Sequence, residues 1–115
     1  VVQELGVQVH AFKEARMLIL FNENAPKELR EYCVLHCGNK LEDTVRAGDV
    51  FCLGKEEYRI VFVGSEVQKN LRDLGHITLR FNGNEEGESL EGSLYLESKG
   101  VADVKVGDEI AIYRP

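Results

Sequence analysis

No stretch of this sequence is apolar for long enough to cross a bilayer, and no basic segment followed by an apolar core marks a secretory leader. A P-loop, a glycine-rich nucleotide fingerprint and an aspartate-rich magnesium cluster are all missing, which excludes direct use of ATP. Basic charge is short: 14 Lys and Arg stand against 20 Asp and Glu, for a net charge of −6. That sign is wrong for holding polyphosphate backbones or anionic lipid, so nucleic acid and membrane insertion are excluded. Cysteine is scarce and odd in number. Cys33, Cys37 and Cys52 lie in apolar runs and read as reduced thiols, which places the chain in the cytoplasm. The chain opens at Val1 rather than a methionine, so the natural start is expected to be trimmed or missing. Its 115 residues are expected to form a single domain, 1–115. At that size a chain buries roughly two-thirds of its unfolded surface and folds without disulfide, metal or cofactor.

What is present is mostly β-pattern. Residues 5–12 alternate loosely and MLILF (17–21) is a continuous apolar run. YCVLHC (32–37), DVFCL (49–53), YRIVFV (58–63), HITLRF (76–81), SLYLE (93–97) and DEIAIY (108–113) are β-branched or aromatic. Gly, Asn or Asp bound them, which predicts about eight short strands. In 64–75, Ser65 and Gln68 have capping-box spacing, Val67, Leu71 and Leu74 share a face, and Gly75 supplies a left-handed end. These signals predict a helix. In 24–31, Pro26 follows Asn24, and the segment has room for a single turn.

The chain also repeats itself. VRAGDVFCL (45–53) and VKVGDEIAI (104–112) share a pattern at an offset of 59 residues, and LILFNEN (18–24) and TLRFNGN (78–84) both carry Phe-Asn at an offset of 60. Short strands avoid exposed edges best by closing on themselves. The expected fold is therefore all-β: a small closed β-barrel of two similar halves related by a pseudo-twofold, with one or two short helices.

Cys33, His36 and Cys37 raise the question of chemistry. Strand side chains alternate, so Cys33, Leu35 and Cys37 form an apolar face expected to point into the barrel, with His36 on the outer or rim face. A zinc site drawn from Cys33, His36 and Cys37 would need ligands from both faces of one strand. Structural zinc takes its ligands from turns with different spacing, so the expected metal content is none. In 76–81, Ile77, Leu79 and Phe81 are apolar while His76, Thr78 and Arg80 align opposite them. An imidazole, a hydroxyl and a guanidinium in one row, with Ser65 at a helix start, have the chemistry to hold a phosphoryl group. Whether this row converges on His36 is open from sequence, as is the alternative of an ordinary polar barrel surface.

The block G-S-x-x-x-x-N-L-R-x-L-G-H-x-T-L-R-F (64–81) and the C-x-x-H-C segment (33–37), carried on 25–37 and 63–83, resemble the glucitol/sorbitol-specific IIA component of the bacterial phosphoenolpyruvate-dependent sugar phosphotransferase system (PTS). The resemblance covers nearly the whole chain. Members can carry a second histidine after the second cysteine; here that place is Gly38, leaving His36 as the candidate in this segment. The resemblance implies a phosphohistidine carrier, with His36 taking a phosphoryl group on Nε2 from the phosphocarrier HPr. It further implies that the group passes to the IIB component of the IIB/IIC permease. His76, Thr78, Arg80 and Ser65 would support the phosphoryl oxygens. Imidazole suits such a relay, because with an ordinary pKa of roughly 6.5 it is partly neutral and nucleophilic at cytoplasmic pH. A non-catalytic barrel that binds a sugar or a partner protein remains the rival. The sequence fixes neither the hexitol nor the oligomeric state.

Overall fold

The computed structural model describes residues 1–37, 43–85, 87 and 89–115. Its elements run β1 (Val2–Leu5), α1 (Val9–Glu14), β2 (Met17–Asn22), α2 (Lys27–Arg30), β3 (Val34–His36), β4 (Val50–Leu53), β5 (Glu56–Val63), α3 (Val67–Leu74), β6 (Ile77–Arg80), β7 (Ser93–Leu96) and β8 (Ile110–Tyr113). The strands form one sheet in the order β1-β3-β2-β6-β7-β5-β4-β8. Its two edges meet where the Val2 N–H donates to the Asp108 carbonyl and the Gly107 N–H donates to the Val2 carbonyl, both at 2.8 Å. The sheet is thus a nearly closed eight-stranded barrel.

The halves β1–β4 and β5–β8 are copies of one another. Exchanging each strand with the one four places on returns the same ring, with the twofold passing between β2 and β6 and between β4 and β8. Both of those pairs are antiparallel, while β2–β3 and its counterpart β6–β7 are both parallel. The repeated G-D turns match in detail. The Arg46 N–H donates to Asp49 Oδ2 and the Lys105 N–H to Asp108 Oδ2, each at 2.9 Å. Gly48 and Gly107 both have φ of +96°, a left-handed backbone that explains glycine at this point of both copies.

The segment 5–12 departs from its loose alternation. The strand stops at Leu5, and Val9–Glu14 turns into helix α1, occupying the place α3 holds in the second half. Both helices follow a glycine packed against backbone. A Cβ on Gly6 would lie 2.3 Å from the Arg30 carbonyl oxygen, and one on Gly64 would lie 2.4 Å from that of Leu90. The shared G-x-x-V spacing of 6–9 and 64–67 carried this helix, but short amphipathic runs fit either period. The capping box of α3 does not form. Glu66 is its N-cap without a side-chain bond, and Gln68 instead accepts from the Val45 N–H at 2.8 Å. Gly75 ends the helix in the left-handed region as expected, and α2 is the expected single turn.

Two apolar clusters sandwich the barrel wall. The main core fills the interior with Leu18, Leu20, Val34, Phe51, Ile77, Leu79, Phe81 and their neighbours. A smaller cluster of Phe21, Ala25, Cys33 and Leu35 covers the outside of β2 and β3. Among the described residues no helix is long and apolar enough to cross a membrane.

Candidate functional site

β3 faces the opposite way from the expectation. Val34 belongs to the interior cluster, whereas Cys33 and Leu35 belong to the outer one. His36 therefore shares the inward face with Val34. The outer face of this strand is covered by Phe21 and Ala25 rather than by water, so it is as apolar as the inner face. A strand buried on both sides carries no alternation from which to orient it. Cys33 and His36 consequently lie on opposite sides of the wall, and burial pushes the Cys33 thiol pKa up.

His36 is 7% exposed, at the mouth of the barrel. Its Nε2 lies 2.8 Å from the carbonyl oxygen of Gly75, the residue that terminates α3. The helix thus presents its carbonyl end to the imidazole, not its N–H end. Ser65, exposed before the start of α3, is at the wrong end of the helix to join His36.

His36 lines a cleft of about 350 Å³ whose walls include Leu20, Val45, Phe51, Leu71 and Ile112. Arg114, just after β8, is the only Lys or Arg lining this cleft among the described residues. Three acceptors hold its guanidinium: Asp43 Oδ2 and the Thr44 carbonyl, each at 3.3 Å, and Asp49 Oδ1 at 3.5 Å. These are long contacts for charged hydrogen bonds, which favour about 2.7–2.9 Å. Asp49 is 5% exposed and is tied into its turn by the Arg46 N–H. The Asp43 carboxyl is held below the usual carboxylate range, first by the Thr44 N–H and then by Arg114.

The row His76, Thr78 and Arg80 is aligned as expected but stands on the outside of the wall, because Ile77, Leu79 and Phe81 fill the interior. Arg80 donates through Nε to Ser93 Oγ at 2.9 Å. Thr78 sits between Ile19 and Ser93 in the sheet. His76 stacks on Phe21 with ring centroids 4.4 Å apart, and burial lowers its pKa. None of the three shares the cleft with His36. The sheet that aligned them also separates them from it.

Sequence reasoning missed Arg114 and the carbonyl of Gly75. Arg114 is the next-to-last residue of this sequence, with no motif around it, and Gly75 read only as a helix stop. Gly75 reaches His36 through β2, which pairs with both β3 and β6, and Arg114 comes to the same cleft through the approach of β8 to β1. Gly38, the place of the family's second histidine, lies outside the described residues.

A family model described as "PTS system glucitol/sorbitol-specific IIA component" matches residues 1–111. The glucitol/sorbitol-specific EIIA component of Escherichia coli (strain K12) is 41% identical over 92 residues, covering 80% of this chain and 74% of that protein. The Shigella flexneri protein of the same name gives the same figures. The crystal structure of a PTS system IIA component from Enterococcus faecalis V583 superposes with a TM-score of 0.85 at 29% identity, covering 97% of this chain and 96% of that one.

Proposed function

Because the chain belongs to the PTS glucitol/sorbitol-specific IIA family, we propose that it is a cytoplasmic carrier that takes a phosphoryl group from phosphorylated HPr onto His36 and delivers it to the IIB component serving glucitol or sorbitol uptake. The observation that carries this reading is the setting of His36, a buried imidazole of fixed orientation opening on a cleft with a single arginine among its described lining residues.

Each transfer exchanges one phosphorus–nitrogen bond for another. The donor imidazole leaves with its bonding electron pair as the His36 ring supplies a new one. Such a reaction needs little from the protein beyond alignment and neutralisation of the equatorial oxygens. Alignment comes from the Gly75 carbonyl and the packed wall of β3. Neutralisation falls to Arg114, whose long contacts to Asp43, Asp49 and Thr44 hold it at the cleft while leaving its donors free to shorten onto phosphoryl oxygens. His76, Thr78, Arg80 and Ser65 have no part in this proposal, since the wall and the length of α3 separate them from the cleft.

Burial of His36 has a second consequence. A donor must bring its phosphorylated ring into the cleft, and the apolar walls then exclude the water that would hydrolyse the intermediate. Incubation with phosphoenolpyruvate, enzyme I and HPr tests the reading. An acid-labile, base-stable phosphate on the protein supports it. An unchanged mass under conditions that phosphorylate HPr contradicts it and favours a non-catalytic binding barrel.

A further inference from the structure

We infer that the phosphoryl group is carried on Nδ1 of His36, with the main-chain carbonyl of Gly75 as the group that selects this nitrogen. The inference rests on the proposal that His36 is the acceptor and goes beyond it, because the family resemblance led to the expectation of Nε2.

Nε2 lies 2.8 Å from the Gly75 oxygen. A carbonyl oxygen only accepts, so Nε2 must carry the hydrogen. A neutral imidazole has one N–H, and the lone pair that can attack phosphorus is therefore on Nδ1. Nδ1 makes no hydrogen bond to any described residue. On this cleft-lining side chain the nitrogen not held by the Gly75 carbonyl is thus the nucleophilic one.

The same carbonyl serves the product. When Nδ1 bonds to phosphorus, the donor's phosphorus–nitrogen bond breaks and its electron pair returns to the donor ring. The His36 ring then bears positive charge with its hydrogen still on Nε2. That hydrogen keeps pointing at the Gly75 oxygen, at the carbonyl end of α3, where the helix dipole favours positive charge. Attack by Nε2 would first require the ring to leave this contact and turn within a packed wall, orphaning a buried carbonyl.

Nitrogen-15 NMR on the intact chain tests the inference in two steps. In the free protein at alkaline pH, long-range proton–nitrogen correlations report which nitrogen of His36 is protonated. We expect Nε2 protonated and Nδ1 bare. After phosphorylation through HPr, phosphorus–nitrogen coupling identifies the bonded nitrogen, expected to be Nδ1. A phosphoryl group on Nε2, or a free protein with the hydrogen on Nδ1, overturns the inference while leaving His36 as the carrier. If no phosphate reaches His36 at all, the proposed function fails and takes this assignment with it.

Discussion

His36 and Leu96 occupy equivalent places in the two halves of the barrel. His36 pairs with Val2 of β1, and Leu96 pairs with Ile60 of β5, across matching antiparallel strands. Val2 and Ile60 in turn donate to Asp108 and Asp49, each at 2.8 Å. One half fills the site with a leucine of 0% exposure, and the other places a histidine there. The duplicated frame thus holds an apolar side chain at the counterpart of His36, as the proposed chemical rather than structural role of the imidazole requires.

Replacing His36 should therefore remove function without removing the fold. His36→Gln keeps an N–H donor for the Gly75 carbonyl, and His36→Leu copies the other half. Both should unfold in urea within about 1 kcal/mol of the parent, since one lost hydrogen bond is offset by apolar burial. Neither should take up phosphate from phosphorylated HPr. A collapse of the folded state in both variants would show that the imidazole is structural.

Arg114 and Arg80 separate the two phosphoryl-binding arrangements. A charged hydrogen bond contributes about 1.5–3 kcal/mol, so Arg114→Ala should slow transfer from phosphorylated HPr roughly ten- to hundredfold. Arg114→Lys should fall between, keeping charge without the planar fork. Arg80→Ala removes a contact to Ser93 on the outer wall and should leave the transfer rate within twofold of the parent. Rapid-quench assays decide it, and a slow Arg80 variant beside an unaffected Arg114 variant would reverse the assignment.

The two helix-start glycines should be equally intolerant. An added Cβ meets fixed carbonyl oxygens at 2.3 Å in Gly6→Ala and at 2.4 Å in Gly64→Ala, while Gly100→Ala meets nothing within 4 Å. Overpacking of this kind costs about 1–3 kcal/mol or more. Urea midpoints should fall for the first two and stay put for the third. A parent-like Gly64→Ala would contradict the close approach.

His76 gives the fold a pH dependence. Burial against Phe21 holds its pKa below the ordinary imidazole value of about 6.5. The neutral ring is the one the fold accommodates, so this contribution is fully present above that value. As pH falls through it, the unfolded chain binds protons the folded chain refuses, and stability drops. His76→Phe keeps the stack and removes the titration. Its loss of stability between about pH 7.5 and about pH 5.5, a window bracketing the ordinary imidazole value, should be smaller than the parent's. Parallel curves would remove His76 as a cause.

The repeat and the barrel were legible because they rest on local features. The G-D turns demand glycine at a left-handed position, and the inward stripe Ile77, Leu79 and Phe81 alternates cleanly against half-exposed neighbours. The direction of β3 was not legible, since Val34 and Leu35 are both fully buried and the pattern has no polar face to read. Helix α1 hid for a different reason: its six residues carry no cap signal. The cleft was beyond reach because Gly75 and Arg114 stand 39 and 78 residues from His36. Only the assembled barrel brings them together.

The most direct measurement locates the phosphate by peptide. Cleavage after Lys and Arg places the three histidines on separate fragments, His10 in 1–13, His36 in 31–40 and His76 in 73–80. Digestion and mass analysis at alkaline pH, after incubation with phosphoenolpyruvate, enzyme I and HPr, preserve the labile bond. The account predicts one phosphoryl group on 31–40 of the parent and none on any fragment of His36→Gln. Phosphate on 1–13 or 73–80, or full uptake by the His36→Gln chain, would contradict it.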